Sequence, residues 1–187
     1  MSASNVTKNA LSQSLRGLMA TKPFDRISIS DITGRAGFDR QTFYYHFNSI
    51  YDLIEWVFVN ESGAALGNNK TYDTWQEGFE AIFGYVQQNS SFVLNAFHST
   101  AHDPLERFLL SEARELVGAV VEEQSRGLDV PQTDKDFISD FYKFAFTGLL
   151  MDWIRTGMSE NPHLLVERLG ILIHGDIRKA LEKFSRS

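Results

Sequence analysis

Residues 27–53 read ISISDITGRAGFDRQTFYYHFNSIYDL, and this stretch decides the architecture. Ser28, followed three residues later by Asp31, has the spacing of a capping box that opens a short helix. Ala36-Gly37 closes that helix, and Asp39 caps a third short one running through Arg40 to about His46. Ser49 and Asp52 repeat the capping-box spacing ahead of a longer fourth helix, where Leu53, Ile54, Val57, Phe58 and Glu61 follow helical spacing. Upstream, Leu11, Leu15, Leu18 and Met19 share one face of a first helix, which Thr21-Lys22-Pro23 ends. Short helices joined through Ala36-Gly37-Phe38 match a helix-turn-helix, whose last helix enters the DNA major groove. Phe43 and Phe47, four apart and preceded by Phe38, anchor that helix inward. Arg40, Gln41, Thr42, Tyr44, Tyr45 and His46 then point outward. Arginine suits guanine O6/N7, glutamine suits adenine N6/N7, and threonine or tyrosine can meet a thymine methyl or a phosphate.

The rest of the chain is expected to be helical too, because alternation of period two is nowhere sustained. Asp73 is expected to cap a helix with the stripe Trp75, Phe79, Ile82, Phe83 and Val86, and a short helix follows from about Ser91 to Ser99. Asp103-Pro104 reads as an N-cap with proline at the first helical position. Thr133 with Asp136 starts the next helix, and Asn161-Pro162 starts the last, expected to run to about Phe184. Between Phe137 and Ile154 the apolar residues go nearly round the cylinder, so two sides need cover. One side is expected to face the chain's own core and the other a second copy of the chain, with the last two helices as the dimer face. Gly148, Gly157, Gly170 and Gly175 are expected to let helices approach closely there. The fold class is therefore all-α: a three-helix head, then a helical bundle, with the junction expected near Gly67-Asn68-Asn69-Lys70.

Over about Leu11 to Ile54 the sequence resembles the N-terminal signature of TetR/AcrR-type transcription regulators. The pattern of a Ser/Thr start, Asp-Ile, Ala-Gly, Thr-Phe-Tyr-x-His-Phe, Ser and Asp-Leu falls in register at fixed spacing. Tyr51 to Trp56 and Tyr72 to Glu77 are similar to the branch that includes the activator of dihydroxyacetone-kinase operons. The resemblance implies a homodimer with a DNA-binding domain at 1–50 and a ligand-sensing, dimerising domain at 51–187. Carried over position by position, Arg40, Gln41 and Tyr45 would read bases, and Ser28, Thr42, Tyr44 and His46 would hold phosphate or backbone. The sequence departs from the pattern at Ile50, where many relatives carry a phosphate-contacting lysine. The implied partners are a double-stranded operator, a second copy of the chain and a small-molecule or protein effector. A module of the same fold that has lost operator binding is the alternative.

The net charge of −6 hides an uneven split. Residues 1–50 carry a net +3 and the remainder −9, as expected when one end faces phosphates and the other does not. Cysteine is absent, which excludes disulfides, thiolate metal sites and a cysteine nucleophile. No phosphate-cradling glycine loop, His-Glu-x-x-His or Gly-x-Ser-x-Gly elbow occurs, and no enzyme, cofactor or metal site is expected. His98 and His102 stand four apart with Asp103 adjacent, but a third metal ligand is missing. Candidates to line an apolar effector pocket are Phe92, Phe97, Phe108, Phe141, Tyr142 and Trp153, with His98 and His102 supplying polarity. Met1 to Lys8 is polar and no apolar run approaches membrane length, so a cytoplasmic location is expected.

Overall fold

Helix α1 (Ala3–Met19) buries Leu11, Leu15 and Met19 on the expected face and leaves Leu18 partly covered. A 3-10 turn (Phe24–Arg26) leads into α2 (Ile29–Ala36), α3 (Arg40–His46) and α4 (Ile50–Ser62). There follow α5 (Trp75–Gln88), α6 (Ser90–Phe97), α7 (His102–Gln124), α8 (Gln132–Arg155), α9 (Pro162–Ile173) and α10 (Asp176–Phe184). The computed structural model describes residues 3–62 and 71–185, and among these there is no strand. The junction expected at Gly67 to Lys70 lies outside the described residues.

The chain forms two compact units, Met1–Glu61 with Asn89–Phe108 and Ser62–Gln88 with Leu109–Ser187. The first therefore unites the head with α6 and the opening turns of α7. Its core includes Leu11, Leu15, Ile32, Phe43, Leu53 and Ile54, and the Phe58 ring lies 5.3 Å from both Phe92 and Phe108. In the second unit Phe146 packs 4.7 Å from Phe79, and Phe83 meets Trp153 edge-on at 4.9 Å. Trp153 closes its own polar requirement, since Nε1 donates to the Glu160 carbonyl at 2.8 Å.

Helix α8 has the two apolar sides expected of it. Ile138, Phe146, Leu150, Trp153 and Ile154 are buried, while Phe137, Phe141 and Phe144 form an exposed stripe spaced four and three apart. On α9, Leu164, Ile171 and Leu172 are exposed as well.

Helix starts differ from expectation at three places, each time because a neighbouring group takes the opening role. α5 starts at Trp75, and the Thr74 carbonyl accepts its first bond from the Gly78 amide, so Asp73 lies in the preceding turn. α7 starts at His102, with Leu105 N–H donating to the Ala101 carbonyl at 3.2 Å. Pro104 thus sits in the first turn, where a missing N–H costs nothing. α8 begins after Pro131, whose carbonyl accepts from Asp134 and Lys135, so Thr133 is inside the helix and not its cap. Asn161 does cap α9, accepting from His163 N–H at 3.0 Å.

The last helix is not continuous to Phe184. It breaks at His174 and Gly175, where Gly175 takes φ 74°, a conformation that a Cβ disfavours. Of the glycines expected to permit close helix approach, only Gly170 has a near neighbour among the described residues, the Gln76 side chain. A Cβ added at Gly34, inside α2, meets nothing within 4 Å. Gly34→Ala is therefore expected to stabilise the protein by about 0.5–1 kcal/mol through helix propensity. A urea titration with no rise in the unfolding midpoint would contradict this.

Candidate nucleic-acid interface

The interface is built from local bonds. At the start of α2, Ser28 Oγ accepts from Asp31 N–H at 3.2 Å while Asp31 Oδ2 accepts from Ser28 N–H at 2.8 Å, completing the expected capping box. Ser28 Oγ also donates to the same carboxylate at 2.8 Å, so its hydroxyl is already committed within the head. The Ser28 amide, then its hydroxyl and then Lys22 at 3.0 Å hold the Asp31 carboxyl down at about 2. Gly37 ends α2 with φ 75°, and its N–H and that of Phe38 both donate to the Thr33 carbonyl.

Asp39 then caps α3, its Oδ1 accepting from Thr42 N–H at 2.7 Å, and this bond lowers the carboxyl's pKa. Phe43 is fully buried and Phe47 nearly so, with their rings 5.8 Å apart. Lys8 of α1 lies 5.5 Å above the Phe47 ring and 6.0 Å from the Trp56 ring, a cation–π cover over this end of the head. Opposite Phe43, Arg40, Gln41 and Tyr44 are exposed, and Tyr45 is 84% exposed. Thr42 and His46 are half-buried, with His46 edge-on to Tyr45 at 5.0 Å. Among the described residues no hydrogen bond or ion pair engages the Arg40 or Gln41 side chain. These groups sit on one seven-residue helix, and four of them, Arg40, Gln41, Tyr44 and Tyr45, are exposed.

At α4 the expected Ser49–Asp52 pair forms in altered shape. Asp52 N–H donates to Ser49 Oγ at 3.2 Å, but the Asp52 carboxylate accepts from Asn48 N–H and Nδ2 and from Ser49 Oγ. Where the resemblance implies a lysine, this protein has the half-buried Ile50 two residues from a carboxylate.

Sequence reasoning missed the residues that tie α6 to the head. Asn95 Oδ1 accepts from Phe24 N–H at 2.8 Å, and its Nδ2 donates to the Met19 and Lys22 carbonyls at 2.7 and 2.9 Å. Thr100 N–H and Oγ1 both donate to Asp25 Oδ1, at 2.9 and 2.6 Å, which lowers the Asp25 pKa. Tyr51 Oη donates to Thr100 Oγ1 at 3.0 Å. Arg16 reaches Asn89 Oδ1 at 3.1 Å and lies over the Phe92 ring at 4.3 Å.

The residues expected to line one pocket divide between the two units. Phe92, Phe97, His98, His102 and Phe108 belong to the first unit, and Phe141, Tyr142 and Trp153 to the second. Phe92 and Phe108 are core, Trp153 is core in its own unit, and Phe141 is exposed. Burial raises the Tyr142 pKa, with Asp176 adding to the effect. His98 ends α6 while His102 begins α7, so the pair does not share a helix face. His102 Nδ1 instead donates to the Phe97 carbonyl at 3.0 Å, and no described group of three or more His, Asp or Glu side chains could hold a metal.

A cavity of about 440 Å³ does occur in the second unit, among α5, α7, α8, α9 and α10, and none of the eight expected pocket residues lines it. Its walls are Trp75, Leu116, Val117, Val120, Phe146 and Ile177, and Asp73, Gln76, Glu167 and His174 bring polar atoms to it. No helix among the described residues is long and apolar enough to cross a membrane.

A helical head with a buried Phe43 face and an exposed Arg40–Tyr45 face defines a helix-turn-helix protein, and the family comparisons agree. Residues 14–57 match the model for bacterial regulatory proteins of the tetR family, and residues 73–175 match that for a transcriptional regulator C-terminal region. The chain belongs to the TetR family, whose members are DNA-binding transcription regulators and not enzymes. It is 27% identical over 161 residues to the HTH-type dhaKLM operon transcriptional activator DhaS of Lactococcus lactis subsp. lactis (strain IL1403), covering 85% of each chain. The solved structure of a dihydroxyacetone kinase operon activator DhaS shares the fold, with a TM-score of 0.66, 23% identity, and coverage of 97% of this chain and 99% of that one. Native NalD, the secondary repressor of the MexAB-OprM multidrug efflux pump in Pseudomonas aeruginosa, is 16% identical with a TM-score of 0.54, covering 91% and 96%.

Proposed function

We propose that this protein regulates transcription in the cytoplasm as a homodimer whose grip on a palindromic operator responds to an effector. The observation that carries this reading is the two-sided α3: Phe43 and Phe47 hold it in the core while Arg40, Gln41 and Tyr45 stand free to meet base edges. Thr42, Tyr44 and His46 flank them as phosphate contacts. With its hydroxyl and amide committed to Asp31, Ser28 would meet a phosphate only by giving up a capping bond. Residues 1–50 form the DNA-binding domain, and residues 51–187 sense the effector and dimerise.

The exposed Phe137, Phe141 and Phe144 of α8, with Ile171 and Leu172 of α9, supply the apolar surface for a second copy. Two heads so joined address half-sites about 34–36 Å apart. An effector that prefers one conformation of the sensing domain shifts the population of heads correctly spaced for DNA.

The test is a gel shift with promoter DNA over a salt series. Affinity should fall steeply as salt rises, because phosphate binding releases counterions. Tyr45→Ala should cost about 1–3 kcal/mol on the preferred site and relax its sequence preference, whereas Thr42→Ala should weaken all sequences alike. If both variants bind operator like the parent, α3 is not the recognition helix.

A further inference from the structure

The 440 Å³ cavity of the second unit has a distinctive charge pattern. Trp75 and Phe146 form one wall, with ring centroids 5.6 Å apart and planes inclined by 30°. Leu116, Val117, Val120 and Ile177 complete an apolar interior. The lining includes two carboxylates, Asp73 and Glu167, and no lysine or arginine. Neither carboxylate has a hydrogen-bond or ion-pair partner among the described residues. Two guanidiniums adjoin lining residues in sequence: Arg168, beside Glu167, pairs with Glu160 at 2.6 Å, and Arg178, beside Ile177, is committed as well. Its Nη1 donates to the Gln124 and Arg126 carbonyls at 2.6 and 3.2 Å, and its Nε to Glu182 at 3.0 Å.

We infer that this cavity receives an organic cation with an apolar body, the body against the Trp75–Phe146 wall and the charged end toward Asp73 and Glu167. The volume lies within the range of small-molecule sites, which are mostly apolar with a few placed polar groups. Aromatic faces attract cations through their ring quadrupole, and unpaired carboxylates add to the same preference. An anion meets the opposite: two like charges and, beyond the His174 imidazole, no basic side chain in the lining. The inference rests on the effector-responsive reading above and narrows it to a ligand class and a place.

Calorimetric titration of the full-length protein with three matched probes tests it: 4-tert-butylbenzylammonium, 4-tert-butylbenzyl alcohol and 4-tert-butylbenzoate. The ammonium should bind at least about fivefold tighter than the alcohol, and the benzoate weakest. The double variant Asp73→Asn, Glu167→Gln should bind the alcohol as the parent does and lose the advantage of the ammonium. Both substitutions are at exposed positions, so the alcohol serves as the check on an intact cavity. Equal affinity for ammonium and alcohol in the parent overturns the proposal, as does an ammonium preference that survives in the double variant.

The same preparation is then run against promoter DNA at low salt. Protein that shifts DNA but binds none of the probes overturns the cation site and leaves the regulator reading standing. Protein that binds the ammonium with the expected preference but never shifts DNA supports the site and overturns that reading.

Discussion

Phe43→Ala is expected to cost about 3–5 kcal/mol of stability and to abolish operator binding with it. Phe43 is fully buried and touches the rings of Tyr44 and Phe47, so truncation leaves a cavity that the short helix cannot close. α3 has only seven residues, too few to persist as a helix without tertiary packing. Losing its one central anchor therefore removes the reading surface along with the core contact. Phe43→Leu, which keeps most of the volume, should cost about half as much and retain DNA binding. Chemical denaturation followed by tryptophan fluorescence, with Trp56 reporting on the Phe47 side of the head, measures the difference. A midpoint for Phe43→Ala within error of the parent would mean that the core is not where the structure puts it.

The second large effect concerns Asn95. Its amide makes three bonds to residues more than 70 positions away in sequence, at Met19, Lys22 and Phe24. It stands in for the next helical turn at the end of α1, where backbone carbonyls run out of intrahelical partners. Asn95→Ala orphans the Phe24 N–H and both carbonyls, at an expected cost of about 2–3 kcal/mol. Asn95→Asp keeps an acceptor for Phe24 but turns a carboxylate toward two carbonyl oxygens, so it should be no better than alanine. Hydrogen exchange at the Phe24 amide provides a local measurement, and its protection should drop in the alanine variant. Unchanged protection there would remove Asn95 from its role as the clamp between α6 and the head.

Three of the caps were legible in the sequence because each is a contact over two or three residues, and Ser28–Asp31, Asp39–Thr42 and Asn161–His163 occur where spacing puts them. The two apolar sides of α8 were legible for the same reason, since helical periodicity is local. Asn95 was not, because an isolated asparagine in a helix carries no sign of carbonyls some 70 residues upstream. Thr100 and Asp25 were missed likewise. His98 and His102 misled for a related reason: spacing of four implies one face only if the helix continues, and α6 ends at Phe97. The cavity was invisible because its walls come from five helices, and an aromatic that lines a void looks in sequence like one that fills a core. Phe92, Phe108 and Trp153 are of the second kind.

The division of α3 between an inward pair and an outward set also bears on how such a protein can change over generations. Arg40, Gln41 and Tyr45 contribute nothing to the buried core, and surface replacements of that sort alter stability by about half a kcal/mol or less. Phe43 and Phe47 hold the scaffold whatever stands beside them. Operator preference can therefore drift one side chain at a time while the fold stays under unchanged selection. A lineage carrying this head can acquire new target promoters without passing through an unfolded ancestor.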